Sequence, residues 1–143
     1  DYIEEDFLVV HGDCVSNIDI SKLVQFHQLH DKILTLAVAK PTGRNAILPL
    51  DEEGYYLEEL QALLPQNQAW ADASCRVFKP DIFSYLNRVP DIGHALFTLL
   101  SKENQMISYF HTGFWCPMET RRDKVYLEKL WEQGRAPWKV WED

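Results

Sequence analysis

At 143 residues, 46% of them hydrophobic and 13% aromatic, the chain can bury roughly two-thirds of its unfolded surface, so one domain spanning residues 1–143 is expected. A net charge of −8 repels nucleic-acid phosphates and anionic lipid, and no stretch approaches the roughly 18 consecutive apolar residues of a membrane helix. Cys14, Cys75 and Cys116 are odd in number and lack any Cys-x-x-Cys spacing, which argues against a disulfide framework or a structural zinc site.

The opening DYIEED is acidic where a secretory signal is basic, so reduced thiols in a cytoplasmic protein are the expectation. FLVV (7–10) follows at once, as though the chain were entered in mid-fold. It is a continuous apolar run that reads as a strand covered on both faces. Helical spacing begins after Asp19, at Ile20, Leu23, Val24, Phe26 and His27, with Asp19 or Ser21 as N-cap. ILTLAVAK (33–40) is a second β run and PTGRN (41–45) a loop. Strand, helix, strand is the ordinary unit of a parallel sheet, so the fold class is α/β.

AILPLDEEGYYLEEL (46–60) reads as a short strand and an acidic turn at Asp51 to Gly54, then either strand or helix from Tyr55. SCRVF (74–78) predicts a strand and residues 81–86 a helix. Within 92–104, Ile92, Leu96, Leu99 and Leu100 share one helical face. MISYFHTGFW (106–115) alternates as a strand does. TRRDKVYLEKLWEQG (120–134) predicts a helix capped by Thr120 and stopped at Gly134, its apolar face Val125, Leu127, Leu130 and Trp131. The two tryptophans of the tail APWKVWED are expected to dock on the body.

Asp13 draws attention because it follows a buried strand, where open α/β sheets hold ligands, and an acid there suits phosphate-bound Mg²⁺. Gly-Asp is also an ordinary turn pair whose Asp bonds its own backbone, and local sequence leaves both roles open. Glu119 carries the same ambiguity, complementing the dipole of the helix after it or joining Asp13 around one divalent ion. His111, beside the Thr112-Gly113 turn, and Arg44, in the loop PTGRN, are candidate substrate contacts; a guanidinium grips phosphate bidentately. His27 and His30 lack a third ligand and read as core or surface histidines, and Cys14 has no histidine arranged to activate it.

FLVVHGDCVSNIDISKLVQFHQLHDKILTLAVAKPTGR and HTGFWCPMETRRDKVYLEKLWEQGRAPWKVW together resemble the sugar-1-phosphate nucleotidyltransferases, nearest their cytidylyltransferase branch. The second block is the more specific, running Gly-Phe-Trp, Pro-Met-acid-Thr, Arg-Asp-Lys and Ala-Pro-Trp. The resemblance implies a Rossmann-like mixed sheet, here an N-terminally incomplete version. It also implies Mg²⁺-dependent transfer of CMP from CTP to glucose 1-phosphate with release of pyrophosphate. It maps the metal-binding acids onto Asp13 and Glu119. Departures are equally plain: the chain holds no Gly-x-Gly-Thr-Arg run to cradle a triphosphate, no lysine between Lys40 and Lys79, and Glu where the second metal acid is usually Asp. The chain is therefore expected to need missing N-terminal residues or a complementing chain, or else to be a non-catalytic relative acting as an assembly or regulatory subunit. If FLVV loses its upstream neighbour, its open edge invites a homo-oligomer or a partner strand.

Overall fold

The structure is a computed structural model and describes residues 3–41, 47–56 and 69–142. The strands are β1 (Phe7–Val10), β2 (Cys14–Ser16), β3 (Leu34–Ala39), β4 (Ile47–Leu48), β5 (Trp70–Phe78), β6 (Met106–His111) and β7 (Trp115–Pro117). The helices are α1 (Ile20–His30), α2 (Ile82–Leu86), α3 (His94–Lys102) and α4 (Arg121–Glu132). A mixed sheet runs β1-β5-β3-β6, with β4 also on β5, and a separate two-stranded ribbon joins β2 to β7.

β3 organises the sheet. All six of its residues are buried, as its unbroken apolar run predicts, and the two faces differ in size. Leu34, Leu36 and Val38 enter one core with Phe78, Ile82, Leu96, Phe97 and Leu100. Ala37 and Ala39 face the other core with Leu23, Ala71, Ala73 and Trp115. Large residues on one side fill the space under α2 and α3, while small ones on the other let α1 approach closely.

α1 begins where Asp19 accepts a hydrogen bond from the Lys22 amide (3.0 Å) and ends at Asp31, in the left-handed region at φ 54°. Its buried face is Leu23 and His27. His27 is fully buried, with Nδ1 2.8 Å from the Thr35 hydroxyl and Nε2 3.7 Å from the Asp6 carboxylate. Burial pushes its pKa below the ordinary histidine value, and the charge of Asp6 opposes that only in part.

Four expectations change. β1 is not covered on both faces. It lies at the sheet edge, pairs antiparallel with β5, and alternates half-buried Phe7 and Val9 with exposed Leu8 (38%) and Val10 (55%). β1 and β3 are not neighbours either: β5 lies between them, antiparallel to both, and the parallel pair is β3 with β6. β5 starts at Trp70, well before the expected SCRVF, and carries an irregularity opposite Leu36–Val38. There Ser74 adopts φ 61° and its amide donates to Asp72 Oδ1 (2.7 Å). MISYFHTGFW is broken by a turn into β6 and β7, which belong to different sheets.

α4 has the expected Thr120 cap, closed reciprocally by Asp123, yet only Leu127 of its apolar face is buried; Val125 and Trp131 are about half exposed. One tail tryptophan docks as expected, Trp138 against Phe114 (5.4 Å), whereas Trp141 lies on Trp131 (6.4 Å). The acidic turn is present, Asp51 Oδ1 accepting from the Glu53 and Tyr55 amides (3.1 and 2.8 Å), with Gly54 at φ 90°. The undecided stretch from residue 57 lies outside the described residues.

Two measurements check this packing. Leu36→Ala opens a cavity beneath α2 and α3 and is expected to lower unfolding stability by about 3 kcal/mol in a urea titration, whereas Leu29→Ala, at an 82% exposed position, changes it by less than about 0.5 kcal/mol. Because His27 is held neutral in the fold and gains a proton on unfolding, its contribution is complete above the ordinary histidine pKa of about 6.5 and is lost as pH falls below it. Unfolding titrations at pH 7.5 and 5.5 should therefore show a drop in the wild type that is smaller in His27→Gln.

Candidate metal and phosphate site

β1, β3 and β6 all run the same way, so their C-terminal ends reach one edge of the sheet, where open α/β folds bind ligands. His11, Gly12 and Asp13 follow β1 there; Lys40 follows β3; His111 closes β6.

The β2–β7 ribbon adds the decisive contact. Its register sets Cys14 against Pro117, Val15 against Cys116 and Ser16 against Trp115, and the Met118 amide continues the ladder by donating to the Asp13 carbonyl at 2.7 Å. Glu119 is the next residue. One strand spacing and one residue rise separate the Asp13 and Glu119 backbones by roughly 6 Å. Both residues are exposed, so their carboxylates are free to meet a solvent-borne ligand. Among the described residues no group of three or more His, Cys, Asp or Glu side chains gathers as a complete metal cage. Two carboxylates with hard oxygens nonetheless fit Mg²⁺, which is ordinarily held by one or two carboxylates and takes its remaining ligands from water and substrate phosphate.

The other end of the ribbon is tied by Asn17. Its Oδ1 accepts from the Phe114 amide (2.7 Å), and its own amide donates to the Phe114 carbonyl (3.1 Å). His111 donates from Nε2 to the same carbonyl (3.1 Å) and is buried, so it holds the turn from within. Gly113 is required by this packing, since a Cβ there would lie 2.5 Å from Asn17 Oδ1 and 2.7 Å from His111 Cε1. Arg44 lies outside the described residues.

Neighbouring groups bias the site electrostatically. Asp72 pairs with Arg76 (2.5 Å), whose side chain is only 9% exposed, so this acid is already matched. Burial raises the Cys14 thiol pKa, partly offset by a hydrogen bond with Ser74, while the charges of Asp13 and Asp72 raise it further. Burial likewise pushes Cys75 up to about 11, helped by Cys14 and Asp72. Both thiols stay protonated at neutral pH, which leaves them without a nucleophilic role. Lys40 Nζ sits 3.9 Å over the Trp70 ring and 3.5 Å from the Ala69 carbonyl, a cation fixed at the same edge.

Lys40 and Asn17 were given no role by the sequence. Lys40 merely ended an apolar run, and the partner of Asn17 is 97 residues away.

No protein-family model matches the chain. It is 34% identical over 145 residues to the glucose-1-phosphate cytidylyltransferases of Salmonella typhi and Salmonella typhimurium, and 28% identical over 147 residues to a Bacillus subtilis protein named as a probable member of the same kind. Each match covers 99% of this chain and 56% of the relative, so the chain spans about half the length of those proteins. Among solved structures it superposes, with a TM-score of 0.70 and 14% identity, on a Bacillus anthracis protein assigned as a glucose-1-phosphate thymidylyltransferase and crystallised with sucrose. That likeness covers 98% of this chain and 57% of the other, and it concerns the fold. The resemblance read from the sequence therefore holds: the chain is similar in sequence to glucose-1-phosphate cytidylyltransferases over about half their length, and it shares the mixed α/β fold of a solved nucleotidyltransferase-like protein.

Proposed function

We propose that this chain carries the metal and sugar-phosphate side of a nucleotidyltransferase site that moves CMP from CTP to glucose 1-phosphate. The observation that supports this reading most is the Met118–Asp13 backbone hydrogen bond, which brings the two candidate metal acids, Asp13 and Glu119, to one end of the sheet. In the reaction a phosphate oxygen of the sugar phosphate bonds to the α-phosphorus of CTP. The bond to the β-phosphate breaks, and pyrophosphate leaves. Such chemistry depends on positioning and on neutralising phosphate charge, with no covalent nucleophile, and the protonated thiols are consistent with that.

Asp13 and Glu119 would hold Mg²⁺, which when bound neutralises charge on the phosphates. Lys40 supplies a fixed cation nearby, and the turn at His111 and Gly113 shapes the wall that faces the sugar. The glycine-rich triphosphate cradle is not among these 143 residues, so the full reaction draws on residues outside them, on a longer chain or a partner. The exposed Leu8 and Val10 of β1 suit addition of such a strand.

A second reading, a non-catalytic assembly or regulatory subunit, is favoured by the absence of lysine between Lys40 and Lys79. Pyrophosphate release from CTP and glucose 1-phosphate, measured with the complementing residues supplied on a longer chain or partner, separates the two. The catalytic reading predicts Mg²⁺-dependent release that Asp13→Ala or Glu119→Ala lowers at least about 100-fold. Release indifferent to Asp13→Ala removes the metal assignment, and no release together with no Mg²⁺-CTP thermal shift supports the subunit reading.

A further inference from the structure

We propose that Asn17 is a positioning residue that sets the register of the β2–β7 ribbon and thereby holds Glu119 beside Asp13; its link to a metal rests on the reading of those two acids given above. The ribbon is short, three residues on each side, and it joins segments from opposite ends of the chain. Two-stranded ribbons of this length are marginal alone, and a one-residue slip would change the offset between Glu119 and Asp13 and turn every side chain of the slipped strand over. The ladder's own bonds do not forbid that slip. Asn17 does, because its side chain and its amide both engage Phe114, closing a two-point clamp at the end remote from Asp13.

The clamp is reinforced. The Phe114 carbonyl that accepts from the Asn17 amide also accepts from buried His111, which is anchored at the end of β6, where Ala39 of β3 pairs with it. The turn is therefore fixed to the main sheet, and the ribbon takes its register from the sheet rather than from its own three rungs. Gly113 leaves no room for slack, since any added Cβ meets Asn17 Oδ1. The Asn17 side chain and backbone thus both act on one residue, Phe114, at the turn between β6 and β7.

Amide hydrogen exchange and Mn²⁺ binding by electron paramagnetic resonance test this together on the full chain without substrates. In Asn17→Ala, protection of the Phe114 and Met118 amides should fall at least about tenfold while those of Leu36 and Ile107 stay unchanged, and Mn²⁺ affinity should weaken about tenfold, as when a group that orients a metal ligand is removed. Asn17→Asp keeps the acceptor and should restore the protection, with Mn²⁺ affinity no worse than about threefold below wild type. Gly113→Ala should behave as Asn17→Ala does. Unchanged Met118 protection in Asn17→Ala overturns the proposal, as does unchanged Mn²⁺ affinity in Asn17→Ala when Asp13→Ala abolishes it. If wild-type Mn²⁺ binding ignores Asp13→Ala, the metal reading fails separately, and Met118 protection alone decides the clamp.

Discussion

The arrangement at the ligand edge depends on one hydrogen bond, from the Met118 amide to the Asp13 carbonyl. A backbone bond of this kind contributes only about 1 kcal/mol net, so its importance is geometric. It extends the β2–β7 ladder until Asp13 lies opposite Met118, the residue before Glu119. The main sheet supplies a fixed edge, but Asp13 and Glu119 both lie beyond it, and the ribbon ties the segment before α4 to the loop after β1.

Behind that edge the sheet is rigid for reasons visible in β3. Its alternation of Leu or Val with Thr or Ala builds two cores of different depth, and α1 is drawn close enough for His27 to bury fully against Thr35. Loops at the C-terminal ends of strands are free to vary only because the strands beneath them are not. The contrast with α4 is instructive. Its N-terminus is fixed by the Thr120–Asp123 capping box, directly after Glu119, whereas most of its apolar face remains at the surface. The helix thus fixes the direction in which the chain leaves Glu119 while contributing little to either core.

What could be read from the sequence follows the range of the forces involved. The α1 and α4 caps were legible because Asp19 and Thr120 act on amides three residues away. ILTLAVAK was legible because burial on both faces leaves an unbroken apolar run. FLVV has the same look yet lies at an edge, since apolarity records that a strand is covered somewhere and not which neighbours it has. The first half of β5 escaped because Ala71, Asp72 and Ala73 are small or acidic, and its strand character comes from pairing with β3 and β4. Asp13 and Glu119 stood out by position with two roles open, the family resemblance favoured the metal role, and only the ribbon register shows that their backbones lie close. Asn17 stayed hidden because its clamp spans 97 residues.

The central claim is that Asp13 and Glu119 serve one divalent ion. Paramagnetic broadening by substoichiometric Mn²⁺ in the ¹⁵N-labelled protein tests it most directly, because relaxation falls steeply with distance from the bound ion. The account predicts that amide resonances around Asp13 and around Glu119 disappear together, ahead of those of Leu29 and Ile92, and that Asp13→Ala protects both stretches at once. Broadening confined to one of the two stretches, or spread evenly over the acidic surface, would contradict it.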